Sequence, residues 1–168
     1  MRATRPPRHA VLPLLVTAML AGTAVAQEQP RLPPHDEAAA FTAAGFERVG
    51  GTWQACGDPG TATYQPGMVR DVADLDGDGR PEAILIEGSL YCFGGTEAGF
   101  SLVSKQADGT WRLMAAGPGH PEVLQTRGRD NWPDIQVGGQ GFCFPVLRWN
   151  GSDYRANRHE YQGRPCRR

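Results

Sequence analysis

Two short apolar runs bracket a polar, acidic stretch in the middle of the chain. Met68-Val69-Arg70-Asp71-Val72-Ala73 and Ala83-Ile84-Leu85-Ile86 are rich in β-branched residues and bounded by Gly67 and Gly88, a pattern that predicts two strands. Further on, Phe100 to Trp111 and Phe142 to Tyr154 each open on an aromatic residue and reach a turn dipeptide eight residues later, Asp108-Gly109 and Asn150-Gly151. Such dipeptides between apolar runs predict two-residue hairpins, with positive φ at both central residues. Pro81 to Ile86 is echoed by Pro133 to Val137, so the chain beyond Gly67 reads as two related units, about 68–116 and 122–161. Each is a strand–loop–strand followed by a hairpin.

Upstream, Asp36 has the chemistry of an N-cap before Glu37 to Ala44, and Gly45 supplies a stop, which predicts one short helix. Residues 27–35 form a Pro-rich polar leader, expected to be extended or disordered, and Gly50 to Cys56 is a short strand candidate. Gly57-Asp58-Pro59-Gly60 is a turn. The tail from Asn157 continues the last strand and turns back at Gly163-Arg164-Pro165. These elements predict a mainly β fold: an antiparallel β-sandwich, or two packed blade-like β-meanders, with one short N-terminal α-helix on a face or edge. Two blade-like units are too few to close a propeller ring.

The polar stretch is Asp74-Leu75-Asp76-Gly77-Asp78-Gly79-Arg80-Pro81-Glu82. Three aspartates at alternate positions place like charges close together, and the natural counter-charge is a hard divalent cation, structural Ca²⁺ first. Asp74, Asp76 and Asp78 would supply carboxylates, Arg80 its carbonyl, and Glu82 a further carboxylate; the alternative is a solvated acidic turn. An EF-hand is excluded, since its twelfth position, a bidentate Glu, falls on Leu85 and the flanks read as strands. The segment Asp74 to Ile86 resembles the DxDGDGxxD/E loops of FG-GAP and VCBS-type repeats, as in integrin α-chain propeller blades, with Glu82 where Asp is commoner. That resemblance covers about twenty residues and implies a strand–loop–strand calcium site. The second unit carries Arg127-Gly128-Arg129-Asp130-Asn131-Trp132 in the same place, without the aspartate ladder, and is expected to bind calcium weakly or not at all. Over nearly its full length the chain also resembles exported bacterial proteins that combine the DLDGDGRPEA loop, the GFCFPVLRWNG strand and a terminal Cys. That likeness implies no particular activity.

The N-terminus predicts a Sec-type signal peptide over residues 1–26. Arg2, Arg5 and Arg8 precede an apolar Ala10 to Ala21, and Ala24-Val25-Ala26 is a cleavage signal, with Thr23 where a lipoprotein would carry Cys. The mature product is expected in the periplasm or secreted, without a membrane span. Without those three arginines, 14 of the 17 basic residues face 18 acidic ones, a net charge of −4. That argues against nucleic-acid binding, although the end of the chain, from Arg148 onwards, is locally basic. Length suits a single domain, 36–168.

The four cysteines, Cys56, Cys92, Cys143 and Cys166, lie in the exported part and predict disulfides. A local pairing, Cys56–Cys92 with Cys143–Cys166, is favoured because the antiparallel hairpin and the turn at Gly163 bring Cys166 back toward Cys143. The likeness of Tyr91-Cys92-Phe93 to Phe142-Cys143-Phe144 keeps a Cys92–Cys143 pairing open. His35, His120 and His159 have no neighbouring pattern that makes a catalytic triad recognisable. Tyr91, Phe93, Trp132, Phe142, Phe144 and Trp149 fall at loop or strand-start positions and form a candidate binding patch, with burial in the core as the alternative. The function this implies is a non-enzymatic exported module that binds an envelope or extracellular protein or glycan. The alternative is a hydrolase of an envelope polymer.

Overall fold

A computed structural model describes residues 31–167; the predicted signal peptide and the start of the leader lie outside them. Among the described residues eleven strands form two antiparallel sheets in which neighbours in sequence are neighbours in space. The first holds β1 (Glu47–Val49), β2 (Thr52–Gln54), β3 (Gln65–Ala73), β4 (Glu82–Gly88), β5 (Ala98–Lys105) and β6 (Trp111–Pro118). The second holds β7 (His120–Arg127), β8 (Pro133–Gly138), β9 (Phe144–Trp149), β10 (Tyr154–Tyr161) and β11 (Arg164–Pro165). The fold is therefore mainly β, two packed meanders, as the alternating runs imply.

Alternation along β4 and β5 sorts side chains into two apolar layers. Ala83, Leu85 and Val103 face one way and pack with Trp111, Leu32, Ala40, Phe41 and Phe46. Helix α1 (Pro34–Ala43) lies on that face. Ile84, Leu102 and Met114 face the other way, against Trp132, Ile135, Trp149 and Tyr154 of the second sheet. The order of layers is helix, first sheet, second sheet. The chain passes between sheets at Gly119, between β6 and β7, where φ is +122° and a Cβ would stand 2.5 Å from the carbonyl oxygen of Gly138. A corner that tight admits glycine alone.

Several expectations need correction. The helix starts at Pro34, with Pro33 in the cap position and no side-chain cap, so it begins inside the predicted leader. Asp36 is instead buried in the first turn, where its carboxylate accepts from Lys105 Nζ at 2.8 and 2.9 Å and from Trp111 Nε1 at 3.3 Å. Leu32, also in the leader, is buried in the core. The strand candidate at Gly50 to Cys56 is half of a hairpin whose turn is Gly50-Gly51, both at positive φ, with β1 paired to β2. The two hairpin turns are not of the predicted kind. Gln106 and Thr110 close a three-residue loop in which Gly109, and not Asp108, has positive φ. At the other turn Asn150 pairs with Asp153, leaving Gly151-Ser152 as central residues, and only Gly151 has positive φ. The Asn150 side chain is occupied locally: its Oδ1 accepts from the backbone N–H of Ser152 and of Asp153.

Two disulfides fasten the edges. Cys56 pairs with Cys92, which lies in the short helix α2 (Leu90–Phe93) between β4 and β5, and Cys143 pairs with Cys166; the Cα–Cα distances are 6.1 and 5.6 Å. Both are ordinary disulfide spacings. Two structural disulfides point to an oxidising, extracytoplasmic compartment. Among the described residues no helix is long and apolar enough to cross a membrane.

Candidate metal centre

The acidic loop leaves β3 after Ala73 and enters β4 at Glu82, two residues that pair across the strands. Both of its flanks are anchored. Leu75 packs against the layer between the sheets. On one side Arg80 Nε donates to the Lys105 carbonyl at 3.1 Å, and the N–H of Lys105 donates to the Pro81 carbonyl at 3.1 Å. On the other side the second sheet reaches over. Arg127 Nη1 donates to the Leu75 carbonyl at 2.6 Å, and Asn131 Nδ2 donates to the Asp76 carbonyl. The loop of the second unit thus serves as a clamp on the loop of the first. Nothing in the sequence announces that contact, because the partners are separated by more than fifty residues.

Within the loop Asp74, Asp76 and Asp78 each bring a carboxylate oxygen within 4.8 Å of the others, a group that could hold a metal ion. Asp74 organises the backbone: Oδ1 accepts from the N–H of Gly77 at 2.8 Å and of Asp78 at 3.1 Å, and Oδ2 from that of Gly79 at 2.9 Å. Asp76 accepts from the Asp78 N–H at 3.1 Å, and Asp78 from the Arg80 N–H at 2.8 Å. The Arg80 guanidinium also pairs with Asp78. Each carboxylate offers about four lone-pair positions, so acceptor capacity is left on all three, and hard oxygen donors of this kind suit calcium or magnesium. Partial burial, and after it the charges of Asp78 and Asp74, raise the Asp76 carboxyl above its ordinary range.

Glu82 stands apart from the three. It is wholly buried, accepting from the Leu75 N–H at 2.7 Å and from Ser104 Oγ at 2.8 Å. Burial pushes its carboxyl up to about 7, against the hydrogen bonds from Leu75 and Ser104, with Asp76 and Asp78 adding to the rise. The Arg80 side chain neutralises Asp78.

The aromatic residues do not gather into one surface. Trp132 and Trp149 are buried in the layer between the sheets with Tyr154, which corrects their place in the expected patch. Their loop and strand-end positions suggested exposure, yet both face the opposite sheet. Phe93 is half-buried against Gly99, and Phe144 is half-buried beside Tyr161. Tyr91 and Phe142 remain exposed, at 67% and 70%. Of the histidines, His35 lies 3.4 Å from Asp36, His120 bonds the Thr96 carbonyl at 3.0 Å, and His159 pairs with Pro145 in the second sheet.

Fold and site together define a disulfide-bonded β-domain whose acidic loop could hold a metal ion. No protein-family model, no curated protein and no solved structure matches the chain.

Proposed function

We propose that the chain is an exported β-domain stabilised by calcium at the Asp74–Glu82 loop, and that it acts as a non-enzymatic binding module in the periplasm or outside the cell. The observation that carries this reading is the convergence of Asp74, Asp76 and Asp78 within 4.8 Å, with Arg80 on Asp78 as the cation beside them. The loop's likeness to FG-GAP and VCBS-type repeats supports the same metal. Calcium would offset the burial and the neighbouring charges of Asp78 and Asp74 that raise Asp76, and would draw the nearby Glu82 carboxyl toward its ionised form. Its role is to neutralise and order a loop of the first sheet that the second sheet clamps, since a bound cation keeps these carboxylates from serving as general acids. The partner in this reading is an envelope or extracellular protein or glycan.

Melting in calcium and in chelator tests the metal. The midpoint rises with calcium, by the equivalent of about 2.7 kcal/mol at a hundredfold excess over Kd. Asp76→Ala abolishes that rise and changes the metal-free protein little, because Asp76 holds one loop N–H where Asp74 holds three. Identical curves in calcium and chelator would remove the metal from the account. Capture of partners from an envelope fraction, with and without chelator, tests the binding role; a captured polymer that is then cut would favour a hydrolase.

A further inference from the structure

Where the β7–β8 loop meets the β9–β10 hairpin there is a concavity of about 390 Å³, lined by Arg127, Arg129, Arg148, Arg155, Asn150 and Asn157 among others. Its lining has four guanidinium groups and no carboxylate. Two of the four are neutralised from outside: Arg148 by Asp134 and Arg155 by Asp153. Arg127 donates through Nη1 to two backbone carbonyls, which satisfies a nitrogen without cancelling the charge. Among the described residues neither Arg127 nor Arg129 has a carboxylate partner.

The backbone is shaped to hold these groups together. A Cβ on Gly128 would lie 2.5 Å from the Trp149 carbonyl oxygen, so the loop sits directly on the end of β9, with Arg127 and Arg129 on either side of the contact. On β10 the pairing register with β9 slips between Ala156 and Arg158, which makes Asn157 the bulge residue. A bulge re-aims a side chain that a regular strand would place elsewhere. Here the strand carries Asn157 to the same concavity.

We propose that this concavity binds a phosphate-type oxyanion, of the kind carried by a phosphorylated sugar. Uncompensated guanidinium groups in a concave site attract anions, and their planar donors match phosphoryl oxygens in pairs. Asn157, exposed at the bulge, supplies a neutral amide that suits a hydroxyl beside the phosphoryl group. This assignment rests on the reading of the chain as a binding module.

Titration calorimetry of the mature protein with glucose 6-phosphate, inorganic phosphate and glucose tests it. Glucose 6-phosphate binds in a salt-sensitive manner, and glucose does not. Arg129→Gln, at an exposed position, weakens binding about tenfold, the scale of a lost charge-assisted pair, and leaves the melting curve unchanged. Arg164→Gln removes an exposed charge outside the concavity and leaves binding unchanged. Equal affinity for inorganic phosphate assigns recognition to the phosphoryl group alone; weaker affinity assigns part of it to the sugar. Both results uphold the site. Absence of binding by the unaltered protein, or equal losses in the two variants, overturns it. Such a failure with the calcium-dependent melting shift intact removes this site and leaves the metal reading standing.

Discussion

Asp134 shows what a single buried carboxylate contributes to the second sheet. It is fully buried and accepts from Arg148 Nε at 2.9 Å and Nη2 at 2.8 Å, and from Arg158 Nη1 and Thr126 Oγ1, both at 2.6 Å. Burial alone would raise its carboxyl, but the donors from Arg148, Thr126 and Arg158 win and hold it at about 2, below the ordinary 3.8. The folded state therefore holds this carboxylate ionised to lower pH than the unfolded chain does. Its contribution is complete above about pH 4 and is lost as pH falls through 2, an effect on the order of 2 kcal/mol. Asp134→Asn is expected to cost about 3 kcal/mol at neutral pH, the low end for a broken buried pair, because both guanidinium groups keep access to water. The variant's stability should also fall less steeply than the parent's between pH 4 and pH 2. Denaturant midpoints measured across that interval decide the point, and parallel curves for the two proteins would contradict it.

Among the elements, the β9–β10 hairpin depends on one residue. Gly151 holds φ at +107°, and a Cβ there would meet Arg129 Cδ at 3.3 Å. Gly151→Val forces a β-branched residue into that conformation and is expected to cost about 2 kcal/mol, well beyond the ±0.5 kcal/mol usual for a surface change. An equilibrium unfolding curve within that surface range would mean the turn tolerates an ordinary residue. The Asn150-Gly151 dipeptide located this turn correctly but placed its centre one residue early. Asn150 is engaged in side-chain bonding to Ser152 and Asp153, and this competes with the positive-φ role that the dipeptide pattern assigns it. The strands flanking the acidic loop were legible because β-branched residues with period two fit one pleated geometry. Strand β1 was not legible: Glu47, Arg48 and Val49 are all exposed and carry no alternation. The true helix start was hidden for a tertiary reason. Asp36 has the chemistry of a cap, but the only lysine of the chain, Lys105, and Trp111 draw it into the core instead. The three aspartates could be read from their spacing alone, whereas the Arg127 and Asn131 clamp could be seen only once the two sheets were stacked.

At the scale of the molecule the two sheets share one apolar layer. Ile84, Leu102 and Met114 from the first sheet pack with Trp132, Ile135, Trp149 and Tyr154 from the second, so neither sheet can unfold alone without exposing the other's buried face. The clamp adds a polar connection at the edge of that layer, from Arg127 and Asn131 to the loop of the first sheet. A ligand that stabilises the loop should therefore stabilise the second sheet equally, although all three aspartates belong to the first meander. Tryptophan fluorescence can separate the sheets. The chain has four tryptophans, of which Trp53 and Trp111 lie in the first sheet and Trp132 and Trp149 in the second unit. In a Trp53→Phe, Trp111→Phe variant the fluorescence reports the second unit alone. Its melting midpoint in calcium should rise by the same amount as the far-ultraviolet circular dichroism midpoint, in a single transition. If Trp111→Phe weakens the helix layer through the lost Asp36 bond, the Trp53→Phe variant alone gives the same comparison with a mixed signal. A second-unit transition that stays fixed while the circular dichroism midpoint moves would show that the sheets unfold independently. The shared layer would then be a contact between two autonomous meanders.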